Sequence, residues 1–161
     1  MNSFSMQDQE LDQWCWAAVA ASLNNYVAPD QHLEQCEVVT LVLNQGDCCK
    51  NPQAFDEAGS LTQALNVLHR QAGQPILGPL SFAQIRLTID GGWPIPVRIV
   101  WDDNPGNAHS VVISGYTVSK SGAQLVQVDD PFYGRSIVDY KTFVSSYRGS
   151  GQWERTYKVA A

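Results

Sequence analysis

The sequence contains little charge and no long apolar run. Only 16% of its 161 residues are charged and 44% are hydrophobic, which favours a folded globule over a disordered chain. Ten basic and sixteen acidic residues give a net charge of −6, and the basic residues form no cluster, so a nucleic-acid-binding surface is not expected. No stretch reaches the roughly 18–20 apolar residues of a membrane span, so no membrane-spanning helix is expected.

The N-terminal residues lack the features of a secretory signal. Residues 1–6 contain neither a basic segment nor the apolar segment that follows it in signal peptides. The expected location is therefore the cytoplasm, or the exterior of the cell for an effector secreted by a non-classical route. A third reading is a domain of a longer protein, and the sequence does not choose among the three.

Cysteine is also scarce, with four residues at positions 15, 36, 48 and 49. Four are too few for a disulfide scaffold in a chain of this length. A bond between the neighbours Cys48 and Cys49 would be strained, so a bridge from Cys36 to one of them is more feasible. A zinc site with His32 lacks the paired Cys-x-x-Cys spacing. For Cys36, Cys48 and Cys49, the sequence therefore leaves three alternatives open: a zinc site, a disulfide or free thiols.

Helical periodicity fills the first half of the chain, and β-branched and aromatic residues fill the second. The predicted helices cover residues 14–26, 31–44, 60–71 and 81–90, with an irregular stretch at 45–59. The predicted strands cover residues 95–101, 110–118, 123–129 and 153–159, with a short helix at 140–147. Helices followed by strands predict an α+β fold in a single domain over 1–161, with a helical half at about 1–92 and a sheet half at about 93–161.

Cys15 stands in the opening turn of the most apolar predicted helix. A helix N-terminus favours a thiolate through its dipole and its free N–H groups, and the thiolate is the nucleophilic form of cysteine. A cysteine between two tryptophans is equally typical of a buried core residue. Cys15 alone therefore does not decide between catalysis and packing.

A cysteine nucleophile needs an imidazole within hydrogen-bond reach. The chain has three histidines, and His32 and His69 fall among polar residues of predicted helices, which indicates surface positions. His109 instead opens a predicted strand after a predicted loop at 102–107. It is the best candidate base, although a histidine at a strand edge is more often structural.

The hairpin that follows His109 indicates its partner. A turn at 119–122 joins two predicted antiparallel strands, and folding around it places His109 opposite residues 130–134. Asp130 is therefore expected near His109. Asp129 competes for this role, and an ordinary turn aspartate explains Asp130 nearly as well.

Acyl transfer also needs hydrogen-bond donors for the oxyanion. A glutamine side chain just before the nucleophile's helix can supply one beside the Cys15 backbone N–H. Gln9 is the candidate, and Gln7 and Gln13 compete with it on chemistry alone.

Residues 9–18, Gln-Glu-Leu-Asp-Gln-Trp-Cys-Trp-Ala-Ala, resemble the nucleophile segment of papain-like cysteine peptidases. That family has a glutamine six residues before a Cys-Trp at the start of its central helix. The Trp-Cys-Trp-Ala-Ala form, His109 before Val-Val-Ile-Ser-Gly-Tyr, and Asp130-Pro131 resemble a compact bacterial branch that includes plant-pathogen effector peptidases. This branch is similar to double-glycine bacteriocin-processing peptidases, and the resemblance spans about residues 7–135.

The resemblance implies a papain-like fold and assigns catalytic roles to Gln9, Cys15, His109 and Asp130. Papain itself has asparagine as the third residue of its catalytic triad, so an aspartate at position 130 follows the bacterial branch. The substrate pockets do not carry over, and Trp14, Trp101 or Trp153 are candidates to line them.

The implied activity is peptide-bond hydrolysis through a Cys-His-Asp triad and an acyl-enzyme thioester. No cofactor and no metal is implied, and the substrate is a protein or peptide. An effector or toxin role suggests an inhibitor, an immunity protein or an activating host factor as partner. The alternatives are a deamidase or an acyl or glutamyl transferase with the same triad, and a catalytically silent binding module.

Overall fold

Residues 3–161 of the computed structural model contain five α-helices and a six-stranded antiparallel sheet. The helices are α1 Cys15–Val27, α2 Gln35–Leu43, α3 Leu61–Val67, α4 Phe82–Asp90 and α5 Tyr140–Ser146. The strands are β1 Ile76–Leu77, β2 Ile95–Trp101, β3 Asn104–Val118, β4 Gln124–Asp130, β5 Gly134–Asp139 and β6 Gly151–Thr156, in the spatial order β1-β6-β2-β3-β4-β5. The predicted α+β class is confirmed.

Helix α1 is the central element of the helical half. Its alanines at 17, 18, 20 and 21 are fully buried, so α2, α3 and β3 can pack closely around it. One face of the sheet joins this core through Val112, Tyr157 and Val159. A second core on the other side of the sheet contains Ile99, Phe143 and Trp153.

Two predicted helices are shorter than the sequence suggested. Helix α2 begins at Gln35 because Glu34 is its N-cap and forms a capping box with Glu37. Helix α3 ends at Val67 because the chain turns at His69, which has a left-handed backbone (φ 56°). Polar residues beyond each end matched the helical period without belonging to the helix.

The predicted loop at 102–107 is wrong, because β3 begins at Asn104. Trp101 pairs with Asn104, so only two residues form the turn between β2 and β3. Pro105 lies in the strand opposite a register irregularity of β2, where the proline's missing N–H is tolerated. The last strand ends at Thr156 instead of residue 159, and β1 and β5 were not predicted.

A disulfide joins Cys36 in α2 to Cys49 in a short 3₁₀ turn, Cys48–Lys50, with the Cα atoms 5.0 Å apart. Of the three alternatives that the sequence left open, the structure therefore has the disulfide, which removes both thiols from the alternative zinc site. Cys15 and Cys48 are free, and Cys48 is buried.

Within residues 3–161, none of the helices combines the length and the apolar character that crossing a bilayer requires. Met1 and Asn2, the start of the segment considered above for a secretory signal, lie outside the described residues.

Candidate active site

Cys15 is the first residue of α1, as the sequence predicted, and its side chain is partly exposed. Two hydrogen bonds fix the residues just before it. The Trp14 indole donates to the Phe55 carbonyl at 2.8 Å, and the Gln13 backbone N–H donates to Asp56 Oδ1 at 2.9 Å. The nucleophile's helix therefore starts from a segment that is anchored to the irregular stretch after α2.

His109 lies in β3 and contacts both Cys15 and Asp130. Its Nε2 donates to Asp130 Oδ1 at 2.8 Å. The ring also lines the cleft together with Cys15, close enough for its hydrogen-bonding capacity and charge to lower the pKa of the thiol. The structure thus brings together three of the residues that the sequence singled out, from α1, β3 and β4.

The Asp130 side chain is fully buried and accepts four hydrogen bonds. Oδ1 accepts from His109 and from the backbone N–H groups of Phe132 and Tyr133, and Oδ2 accepts from the Tyr147 hydroxyl at 2.7 Å. Burial alone would raise the pKa of this carboxyl, but these hydrogen bonds lower it below its usual range. The carboxylate is therefore charged and held in one orientation.

Asp129, the alternative partner for His109, points elsewhere. Its carboxylate accepts from Arg135 Nε at 2.7 Å and from the Ser114 hydroxyl. Successive residues of a strand face opposite sides of the sheet, which explains why only one of the two aspartates reaches His109.

The pKa values of Cys15 and His109 shift in opposite directions. Burial alone would raise the pKa of the Cys15 thiol, but the hydrogen bond and charge of His109 lower it below its ordinary value. The backbone N–H groups of Ser110 and Trp16 add to this lowering. Burial alone would lower the pKa of His109, but Asp130 and Cys15 raise it to about 9. Both shifts favour the ion pair of a thiolate and an imidazolium over the neutral pair.

Gln9 lies at the mouth of the site, but its amide is engaged. Nε2 donates to the carbonyls of Leu11 at 2.9 Å and Asp12 at 2.8 Å, and Oε1 is buried without a hydrogen-bond partner within residues 3–161. Its backbone N–H donates to the Pro131 carbonyl at 2.8 Å, next to Asp130. To act as an oxyanion donor, Gln9 must share one of its two Nε2 hydrogens between a backbone carbonyl and the substrate oxygen.

The two competing glutamines lie in different places. Gln7 donates to the Leu33 carbonyl and accepts from Gln35, so it packs against the start of α2 away from the cleft. Gln13 is exposed and lines the cleft. Neither of the other histidines is near the site, since exposed His32 pairs with Glu34 and His69 is exposed after α3.

Aromatic residues surround the hydrogen bond between His109 and Asp130. Trp101 stacks on the imidazole with ring centroids 6.0 Å apart, and it lines the cleft as the sequence suggested. Trp14 and Trp153 are buried, with 0% and 3% exposure, and do not line the cleft, so these two suggestions are wrong. Tyr147 was missed, because no sequence pattern connects the end of α5 to a carboxylate 17 positions earlier.

The cleft between the helical half and the sheet has a volume of about 620 Å³ and contains both Cys15 and His109 on its walls. It also extends away from them, between the start of α3 and the strands β2, β3 and β6. An extended peptide has room to lie along it.

Known proteins with similar sequences or folds agree with this architecture. The family model described as papain-like cysteine protease AvrRpt2 matches residues 2–148. The crystal structure of the proform of Amb a 11, a cysteine protease and major ragweed pollen allergen, has a similar fold with a TM-score of 0.54 at 12% identity. The match covers 96% of this chain and 62% of that one, so this chain spans less than two thirds of that protein's length. No curated protein sequence matches the chain. The chain belongs to the AvrRpt2 family of papain-like cysteine proteases and has their fold.

Proposed function

We propose that this chain is a cysteine peptidase that hydrolyses peptide bonds through Cys15, His109 and Asp130. The observation that carries the proposal is the placement of the His109 imidazole, which shares the cleft with the Cys15 thiol and donates to the buried Asp130 carboxylate at 2.8 Å. A cysteine that only packs in the core does not require a charged partner. A module that only binds does not require a thiol, an imidazole and a carboxylate together. This argues against the silent-module alternative.

The mechanism follows from the charges of the site. The Cys15 thiolate attacks the substrate carbonyl carbon, and the Cys15 backbone N–H and the Gln9 amide stabilise the oxyanion. His109 then gives its proton to the leaving amine, which departs as the C–N bond breaks and the thioester forms. His109 next takes a proton from water, the resulting hydroxide attacks the thioester, and Cys15 is released. Asp130 keeps the imidazole oriented throughout.

The decisive test is the alkylation rate of Cys15 by iodoacetamide against pH, read by peptide mass spectrometry. Because His109 lowers the pKa of the thiol, Cys15 should stay reactive as the pH falls to about 5. In His109→Ala the thiol should titrate near its ordinary value of about 8.5. His32→Ala, which removes an exposed imidazole, is the matched control and should behave as wild type. Ordinary titration of Cys15 in all three proteins would contradict the proposal.

Gln9→Ala should lower kcat by roughly 10²–10³-fold, because one oxyanion donor is lost. The alkylation profile of Cys15 should stay nearly unchanged, since Gln9 does not contact the thiol in the resting site. Gln13→Ala removes another glutamine from the same cleft and serves as the control, with little expected effect on kcat. Equal loss of hydrolysis and alkylation in Gln9→Ala would exclude the oxyanion role.

The same residues could pass the acyl group to an amine instead of water, or act on a glutamine side chain. Product masses from a glutamine-containing peptide, with and without an added amine, separate these reactions. Hydrolysis gives two shorter peptides, deamidation gives a mass increase of about 1 Da without cleavage, and transfer gives an adduct with the amine. We propose hydrolysis, because members of the family are described as proteases.

We further propose that the protein is a bacterial effector or toxin-type protease. The support is the resemblance of residues 9–18 and of the segments around His109 and Asp130 to plant-pathogen effector peptidases. Its substrate is then a protein of a target cell, and an inhibitor, an immunity protein or a host factor is a natural partner. Cleavage of target-cell proteins by wild type but not by Cys15→Ala tests this assignment.

A further inference from the structure

A row of polar and basic side chains crosses the sheet next to the nucleophile. In the strand register, Ser110 of β3 pairs with Arg98 of β2, and Arg98 pairs with Arg155 of β6. Directly paired residues of an antiparallel sheet have Cβ atoms about 4.5–5.5 Å apart. Ser110 follows His109 in β3 and lines the same cleft as Cys15. The row therefore begins at the reacting sulfur and leads away from it.

All three side chains of this row line the cleft that contains Cys15 and His109. The facing wall is formed by the end of α2 and the start of α3, including Leu43 and Leu61. The side chains of Arg98 and Arg155 are 36% and 31% exposed, so both are partly open to the cleft that they line. Both arginines therefore line the cleft in which a substrate would bind. The positive charge is local, since the protein as a whole has a net charge of −6.

The two arginines share a single carboxylate. Glu154 accepts from Arg98 at 2.9 Å and from Arg155 at 3.2 Å. Two guanidinium groups and one carboxylate leave a net charge of +1 at this place. Each guanidinium has five N–H donors, and each uses one nitrogen for Glu154. The terminal nitrogens that Glu154 does not engage, one on each guanidinium, are the donors left for an anion.

The direction of the substrate follows from the chemistry. His109 must protonate the leaving amine, so the leaving segment lies on its side of the cleft, towards Trp101 and Tyr133, which contact the imidazole. The acyl segment then extends the other way, along Ser110 and Arg98. An extended chain advances about 3.3–3.6 Å per residue and alternates its side chains. The second residue on the acyl side therefore reaches the arginines.

We propose that Arg98 and Arg155 form a cationic subsite that selects peptide substrates with Asp or Glu as the second residue on the acyl side of the scissile bond. This inference rests on the proposed peptidase function and names its substrate class. A carboxylate there accepts charge-assisted hydrogen bonds from guanidinium donors that Glu154 leaves free. A lysine at the same position meets a net positive charge and is disfavoured.

The test uses three peptidyl vinyl sulfones that alkylate a catalytic cysteine and differ only in Glu, Gln or Lys at the second acyl residue. Their second-order inactivation rates are measured by labelling of Cys15. In wild type the Glu reagent should react about tenfold faster than the Gln reagent, and the Lys reagent should be slowest. In Arg98→Gln/Arg155→Gln the Glu preference should disappear while the rate with the Gln reagent is kept. Arg155→Glu should favour Lys over Glu.

Arg86→Gln, which removes an exposed arginine of α4 outside the cleft, is the matched control and should keep the Glu preference. Equal rates with Glu and Gln in wild type would overturn the inference. If the double variant loses the rates with the Glu, Gln and Lys reagents equally, the inference is also overturned. The arginines would then serve only to hold β2 against β6. If iodoacetamide labels Cys15 at pH about 5 but no vinyl sulfone does, the subsite is wrong. Loss of the acidic iodoacetamide labelling would instead contradict the peptidase function itself.

Discussion

Cys15→Ala should hydrolyse peptides about 10⁶-fold more slowly than wild type, the order of loss that follows deletion of a catalytic nucleophile. No other described residue can take over, because the remaining free thiol, Cys48, is buried under the irregular stretch after α2. His109→Ala should lose a similar factor, since the imidazole both ionises the thiol and protonates the leaving amine. The measurement is kcat on a peptide that wild type cleaves.

Effects of this size from two residues that act as one unit are not additive. The double variant Cys15→Ala/His109→Ala should therefore be no slower than either single variant. Cys48→Ala is the control, because it removes a free thiol outside the cleft and should keep its activity. Residual turnover in Cys15→Ala within tenfold of wild type would show that another group attacks the substrate.

Asp130→Ala should lower kcat by about 10³–10⁴-fold, because the imidazole loses the group that fixes its orientation and its tautomer. Asp130 also raises the pKa of His109, which stands at about 9. Removing the carboxylate lowers that pKa, so the alkaline limb of the kcat profile should move to lower pH. A purely structural role for Asp130 would reduce activity without moving this limb.

Asp130→Asn should recover part of the loss, since an amide oxygen can still accept from His109 Nε2 but carries no charge. Asp129→Ala is the matched control on the neighbouring position of β4. It breaks the contacts with Arg135 and Ser114, so it should lower the melting temperature while kcat and its pH profile stay close to wild type. Movement of the alkaline limb to lower pH in Asp129→Ala, and none in Asp130→Ala, would reverse the two assignments.

The sequence predicted the parts of the site that depend on local geometry. The position of Cys15 in the first turn of α1 was predicted from the apolar period of the helix, and the resemblance of residues 9–18 to papain-like peptidases singled it out as the nucleophile. Asp130 was placed beside His109 because a short hairpin connects their strands. The choice between Asp129 and Asp130 was left open, since a one-residue change of register exchanges the two faces of a strand.

The contacts that the sequence did not predict join distant positions or very short elements. Tyr147 contacts Asp130 from the end of α5, 17 positions along the chain. Strand β1 has two residues and exists only because β6 pairs with it. Arg98 and Arg155 meet through a register irregularity between β2 and β6, where Glu154 is inserted. Tertiary packing determines each of these contacts, and no local sequence pattern predicts them.

The imidazole and its carboxylate belong to neighbouring strands of one sheet, whereas the thiol arrives on a helix from the other half. His109 lowers the pKa of the Cys15 thiol, so this lowering depends on the contact between α1 and the two strands. If the two halves of the molecule separate, the Cys15 thiol loses this lowering of its pKa and reacts as an ordinary cysteine. Under the proposed function, peptide cleavage is then confined to molecules in which the two halves are packed together.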